Sequence, residues 1–125
     1  MKKLIFLCVV IVIVAACSSP KQITKTSSNP FNKKPDIASV KYEGGDGKSY
    51  ETAIIINAKN EQDGVTSEYF YVSTLYGRRN IDWQFEGQSA TSKNNKMYDI
   101  LNISLTKNNQ KIALYFDISG FYGKF

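Results

Sequence analysis

Leu101-Asn102-Ile103-Ser104-Leu105-Thr106-Lys107-Asn108-Asn109-Gln110-Lys111-Ile112-Ala113-Leu114-Tyr115-Phe116-Asp117-Ile118 is the stretch that decides the fold. Its apolar residues alternate with polar ones on both sides of a polar centre, which is the period of half-buried strands. A two-residue turn at Asn108-Asn109 pairs Lys107 with Gln110. Leu105 then stands opposite Ile112, Ile103 opposite Leu114, and Leu101 opposite Phe116. Asparagine tolerates the positive φ of a type I′ turn, so turn chemistry and apolar pattern point to one antiparallel hairpin.

Working outward, Met97 and Asp99 fall on the face of Leu101. Ile81, Trp83 and Phe85 alternate with Asp82, Gln84 and Glu86 as an earlier strand. The hairpin through Thr91 to Lys96 needs an odd loop or a bulge to keep its odd-numbered residues inward. Further back, Asn60 is placed to cap a helix beginning at Glu61, with Glu61 and Asp63 in its first turn. Val65, Tyr69, Val72 and Tyr76 follow on one helical face with Leu75 near its edge, Gly77 stops the helix, and Arg78-Arg79 lie at its end. Gly64 weakens the first turn. Ala53-Ile54-Ile55-Ile56 reads as a strand covered on both faces. The order β-α-β-β-β predicts an α+β domain in which one amphipathic helix packs on a four-stranded antiparallel meander. In layout this resembles the cystatin-like architecture.

Two groups of candidate residues follow from the alternation. Asp99 points to the core, where a carboxylate needs partners: helix N–H groups, Ser89 or a tyrosine hydroxyl. The sharper reading of Asp99 is a functional acid with a raised pKa. Tyr98, Ile100, Ala113, Tyr115 and Asp117 fall on the face away from the helix, and Phe70 lies on the helix's polar side. Phe70, Tyr98, Ile100, Tyr115 and Asp117 form a partner surface unless the tail Gly120–Phe125 folds back over part of it. Gly44-Gly45-Asp46-Gly47 lacks the spacing of a phosphate loop and the ligands of a calcium loop, and reads as a tight turn.

Composition narrows the chemistry. The chain has no histidine, the commonest general base and metal ligand. Its cysteines, Cys8 and Cys17, both precede the domain, so thiol catalysis and thiolate metal sites are not expected there. We expect no catalytic residues, no metal and no cofactor. The formal charge of +5 suggests nucleic acid until it is located. From Asp36 onward there are 10 Lys or Arg against 11 Asp or Glu, so the basic excess belongs to the leading segment and no nucleic-acid partner is expected.

That leading segment opens Met1-Lys2-Lys3, continues apolar for the 13 residues Leu4–Ala16, and reaches Cys17-Ser18-Ser19-Pro20. Its length suits a signal-peptide core and falls short of the roughly 20 residues that span a bilayer. Val14-Ala15-Ala16-Cys17 resembles the lipobox of bacterial lipoproteins, which are cut before the cysteine and acylated, with palmitate among the chains. The resemblance implies a signal peptide over 1–16 and lipidation at Cys17. It also implies a membrane-tethered place in the cell envelope, on the periplasmic side and, with Ser18 next, at the outer membrane. Residues 17–37 then make a basic, Ser/Thr/Asn-rich tether that cannot bury enough apolar surface to order itself, and 38–125 the domain. From Gly44 on, the chain resembles small uncharacterised bacterial lipoproteins in its Gly44–Gly47 turn, its Glu51–Ile54 strand entry and its Tyr115–Ile118 ending. The expected function is a lipid-anchored, non-catalytic envelope protein that binds another protein. The alternative is a periplasmic inhibitor or immunity protein against a toxin or hydrolase.

Overall fold

The computed structural model describes residues 37–125; Cys17, the signal segment and most of the tether lie outside the described residues. A 3-10 turn at Ile37–Ser39 leads into β1 (Lys41–Gly44), β2 (Ile54–Asn57), α1 (Glu61–Tyr76), β3 (Trp83–Lys93), β4 (Lys96–Leu105) and β5 (Lys111–Asp117). The α+β class is as read. The sheet differs: it has five strands in the order β1-β2-β5-β4-β3. It is also mixed, because β2 lies parallel to β5 through Ile54 opposite Phe116 and Ile55 opposite Asp117. β1 and β2 form a hairpin around the glycine-rich turn. There Gly44 and Gly47 take φ of 90° and 75°, and Gly47 N–H donates to Thr52 O at 2.7 Å. A four-residue strand beginning in Lys41-Tyr42-Glu43 has too little alternation to show in the sequence.

The deciding hairpin keeps its faces and changes its register. Leu101 stands opposite Leu114, Ile103 opposite Ile112, and Asp99 opposite Phe116. Asn109 N–H donates to Leu105 O at 2.8 Å, and Leu105 N–H to Gln110 O at 2.9 Å, so the loop holds four residues in place of two. A slip of two preserves which side chains face inward, which is why alternation alone does not detect it. The two-residue turn with positive φ at both centres occurs instead at Asn94-Asn95, φ 52° and 60°. The odd step required of the β3–β4 hairpin is a bulge between Phe85 and Gly87. Before it Trp83 and Phe85 face the helix; after it Gln88 and Ala90 do, opposite Leu101 and Asp99. Ile81 lies outside the strand and is exposed.

The helix begins and ends as read. Asn60 Oδ1 accepts from Asp63 N–H at 2.9 Å, and Gly77 closes the helix with φ 95°. The C-terminal tail also seats its start: Lys124 O accepts from Glu61 N–H at 2.8 Å, and Gly123 N–H donates to Glu61 Oε1 at 2.6 Å. Phe121 is buried against Gly64, where any side chain would collide with its ring. The tail therefore runs to the helix side and does not cover the outer sheet face.

The face α1 presents to the sheet overlaps the one the apolar spacing indicated: Val72 is in the core and Tyr69 and Tyr76 pack against it, but the face extends to one side. Gly64, Ser67, Glu68 and Val72 are buried, whereas Val65 and Leu75 are exposed at 38% and 53%. The helix is therefore rotated only partway from that reading, enough to bring Gly64, Ser67 and Glu68 inward and leave Val65 outside. Tyrosines on both flanks compensate. Tyr42 on β1 donates its hydroxyl to Ser67 O at 3.0 Å and lies 5.3 Å from the Tyr71 ring, which meets Phe116 edge-on. Beneath them lie Ile54, Ile56, Trp83, Leu101, Ile103, Leu114 and Phe116, all essentially without solvent contact.

Candidate functional site

Turning α1 in this way carries Glu68 into the interface. Its side chain has no solvent exposure, and Asp99 beside it has 6%. Gln88, delivered to this face by the bulge, bridges them: its Nε2 donates to Glu68 Oε2 at 3.1 Å and to Asp99 Oδ2. Tyr69 donates its hydroxyl to Gln88 Oε1 at 2.6 Å. Glu68 Oε1 and Asp99 Oδ1 remain buried with no other partner. Burial, the neighbouring Asp99 charge and a hydrogen bond to Asp99 push the Glu68 carboxyl up to about 9. Glu68 therefore keeps its proton at neutral pH. Donated to Asp99, that proton gives each carboxyl the partner its burial demands and avoids placing two charges side by side.

An arginine sits over the same flank. The Arg79 guanidinium lies 4.6 Å from the Tyr69 ring centre, 5.3 Å from Phe85 and 5.8 Å from Trp83. Burial pushes the Tyr69 phenol up, and the Arg79 charge pulls it back part of the way.

Asp99 is thus buried as its alternation required, but its partners are Gln88 and Glu68 rather than Ser89 or helix N–H groups. Sequence reasoning missed both partners. Gly87 was the available signal for Gln88, since an isolated glycine in a strand marks a bulge. Nothing in the apolar spacing of α1 marks Glu68.

The five residues read as a partner surface are not brought together as an open face. Tyr50, from the loop joining β1 to β2, lies edge-on to Tyr98 at 5.1 Å and Tyr115 at 4.8 Å, and Tyr98 is buried. Lys93 anchors this cover, with Nζ 4.3 Å from the Tyr50 ring and 3.1 Å from Glu51 Oε1. Asp117 is buried and ion-paired with Lys96 at 2.8 Å. Burial alone would raise its carboxyl; the bonds from Lys96 and from the Ser119 hydroxyl and N–H outweigh it and hold the group below its ordinary value. Ile100 is half-buried beside them, and Phe70 is half-exposed on the helix, across the sheet from the other four.

A cleft of about 380 Å³ opens at the other end of α1, lined by Leu75, Tyr76, Ile81, Asp82, Leu105, Thr106 and Lys107. Asp82 is its only carboxylate; it accepts from Arg78 N–H at 2.7 Å, and the bonds from Arg78 hold it below its ordinary value. The acid pair and the cleft are therefore separate. Among the described residues no three His, Cys, Asp or Glu gather as metal ligands, and no helix is long and apolar enough to cross a membrane. Comparison with known proteins finds no family model, no curated protein and no solved structure that matches this chain.

Proposed function

We propose that this chain is a lipid-anchored, non-catalytic protein of the bacterial cell envelope that binds another protein. One observation carries the reading: Val14-Ala15-Ala16-Cys17 following an apolar run of signal-peptide length. A single acyl chain binds a membrane only marginally, whereas the two or three of a lipidated cysteine hold firmly, at about 0.8 kcal/mol per buried methylene. The tether and its lysines then set the domain beside the bilayer.

The domain's chemistry supports a binding role over catalysis. Two carboxyl groups sharing a proton can serve acid–base chemistry when a substrate reaches them. Here the pair is buried, Gln88 bonds one oxygen of each carboxyl and is itself held by Tyr69, and the cleft lies elsewhere. The pair reads as structural.

Palmitate labelling and detergent-phase partitioning of the full chain, beside Cys17→Ala, test the anchor. The wild type should label and enter the detergent phase; Cys17→Ala should do neither and should accumulate as precursor. A labelled Cys17→Ala protein, or a wild type that keeps residues 1–16, would contradict the reading. Crosslinking in the native membrane then tests the role. Resident envelope proteins are the expected partners, and capture of one toxin or hydrolase would make the protein its inhibitor.

A further inference from the structure

The two edges of the sheet are unequal. β1 is 4 residues long, carries Lys41 and Glu43, and ends at Gly44 with φ 90°. Short length and alternating charge are the usual means of keeping an edge from pairing. β3 runs for 11 residues, and between Gly87 and Ser92 it has no charge and no proline. The two-residue turn closes on the pair Lys93–Lys96, so the backbone bonds to β4 fall at Lys93, Thr91 and Ser89. The N–H and C=O groups of Gln88, Ala90 and Ser92 then point away from the sheet. All three residues are exposed.

We propose that this edge pairs antiparallel with the β3 of a second copy, about a two-fold axis at Ala90. Pairing requires outward-facing backbone on both strands, and this register provides it: Ala90 meets Ala90, and Gln88 meets Ser92 of the second copy. Only small or uncharged side chains meet near the axis. Lys93 lies opposite Gly87 of the second copy and so next to its Glu86. Both side chains belong to the outer face, where Glu86 contacts Ser104 and Lys111 and Lys93 contacts Glu51. The two-fold repeats this opposite-charge contact, so the ends of the paired strands attract. Because the axis stands perpendicular to the sheet, both helices lie on one side. Phe85, exposed at 40%, lies on that side of β3 next to the paired strands. The result is one continuous sheet across two domains. This inference does not depend on the lipid anchor.

The test is sedimentation equilibrium of the full chain in density-matched detergent, beside Ala90→Pro. Proline there removes an outward N–H and leaves the bonds to β4 intact. The wild type should be a dimer, and Ala90→Pro should dimerise at least tenfold more weakly with unchanged circular dichroism. A monomeric wild type overturns the proposal, as does a dimer that persists in folded Ala90→Pro. Should Ala90→Pro fail to fold, Ala90→Cys decides beside the wild type under the same oxidation: a disulfide-linked dimer formed by Ala90→Cys and not by the wild type supports the axis, and its absence overturns it.

Discussion

Folding strengthens the hold of the Glu68 carboxyl on its proton, because burial, the Asp99 charge and the Asp99 hydrogen bond all act in one direction. Replacing Asp99 by Asn removes the charge and leaves a side chain of the same shape. The Glu68 titration midpoint, followed by carboxyl carbon NMR, should fall from about 9 by at least one unit; an unchanged midpoint would mean that burial alone sets it. Tyr69→Phe deletes the hydroxyl that holds Gln88 at 2.6 Å. A lost hydrogen bond of this kind costs about 1 kcal/mol, measurable by urea denaturation. At this scale the sequence was legible for Asp99, since period-two alternation in a well-formed strand fixes the side it faces. Glu68 and Gln88 were hidden, because each depends on a local offset: a rotation of α1 and one extra residue at Glu86.

Elements make their own tests. Gly64 costs α1 about 1 kcal/mol relative to alanine in intrinsic propensity. Yet a methyl group there would run into Phe121, and overpacking costs about 1–3 kcal/mol. Gly64→Ala should therefore lower the melting temperature, and Gly64→Ala with Phe121→Leu should recover part of the loss. Asn95 holds φ 60° in the Asn94-Asn95 turn. Asn95→Gly should be neutral or stabilising, while Asn95→Ala should cost about 1 kcal/mol by thermal melts. Helix ends were legible because Asn60 and Gly77 act within one turn of themselves. Turn types were not, because Asn94-Asn95 and Asn108-Asn109 are the same dipeptide. Which one forms the tight turn is settled by the bulge and by the bonds between Leu105 and Gln110.

On the scale of the whole molecule, the α+β class followed from one helical and several alternating segments. The mixed sheet did not, because β2 and β5 are far apart in sequence and meet over two residue pairs. What the assembled layers share is an unusual junction. The helix buries Val72, Ser67 and Glu68 against the sheet, so a polar contact takes part of the work that apolar packing does elsewhere. The sign of the pH effect follows. A carboxyl raised from 4.5 to about 9 favours the folded state fully below pH 4.5 and loses that contribution as pH rises toward 9. The carboxyls of Asp46, Glu51, Asp82, Glu86 and Asp117 are held below their ordinary values, so their contribution is lost only in acid, below the same window. The chain has no histidine, and among the described residues Glu68 is a carboxyl raised across the interval from pH 5 to 8. Unfolding free energy measured by denaturant at pH 5 and pH 8, for the wild type and Glu68→Gln, is the most direct test. The wild type should be less stable at pH 8 by roughly 3 kcal/mol, and Glu68→Gln should be nearly level across the interval. A wild type equally or more stable at pH 8 would contradict a shared proton at the junction.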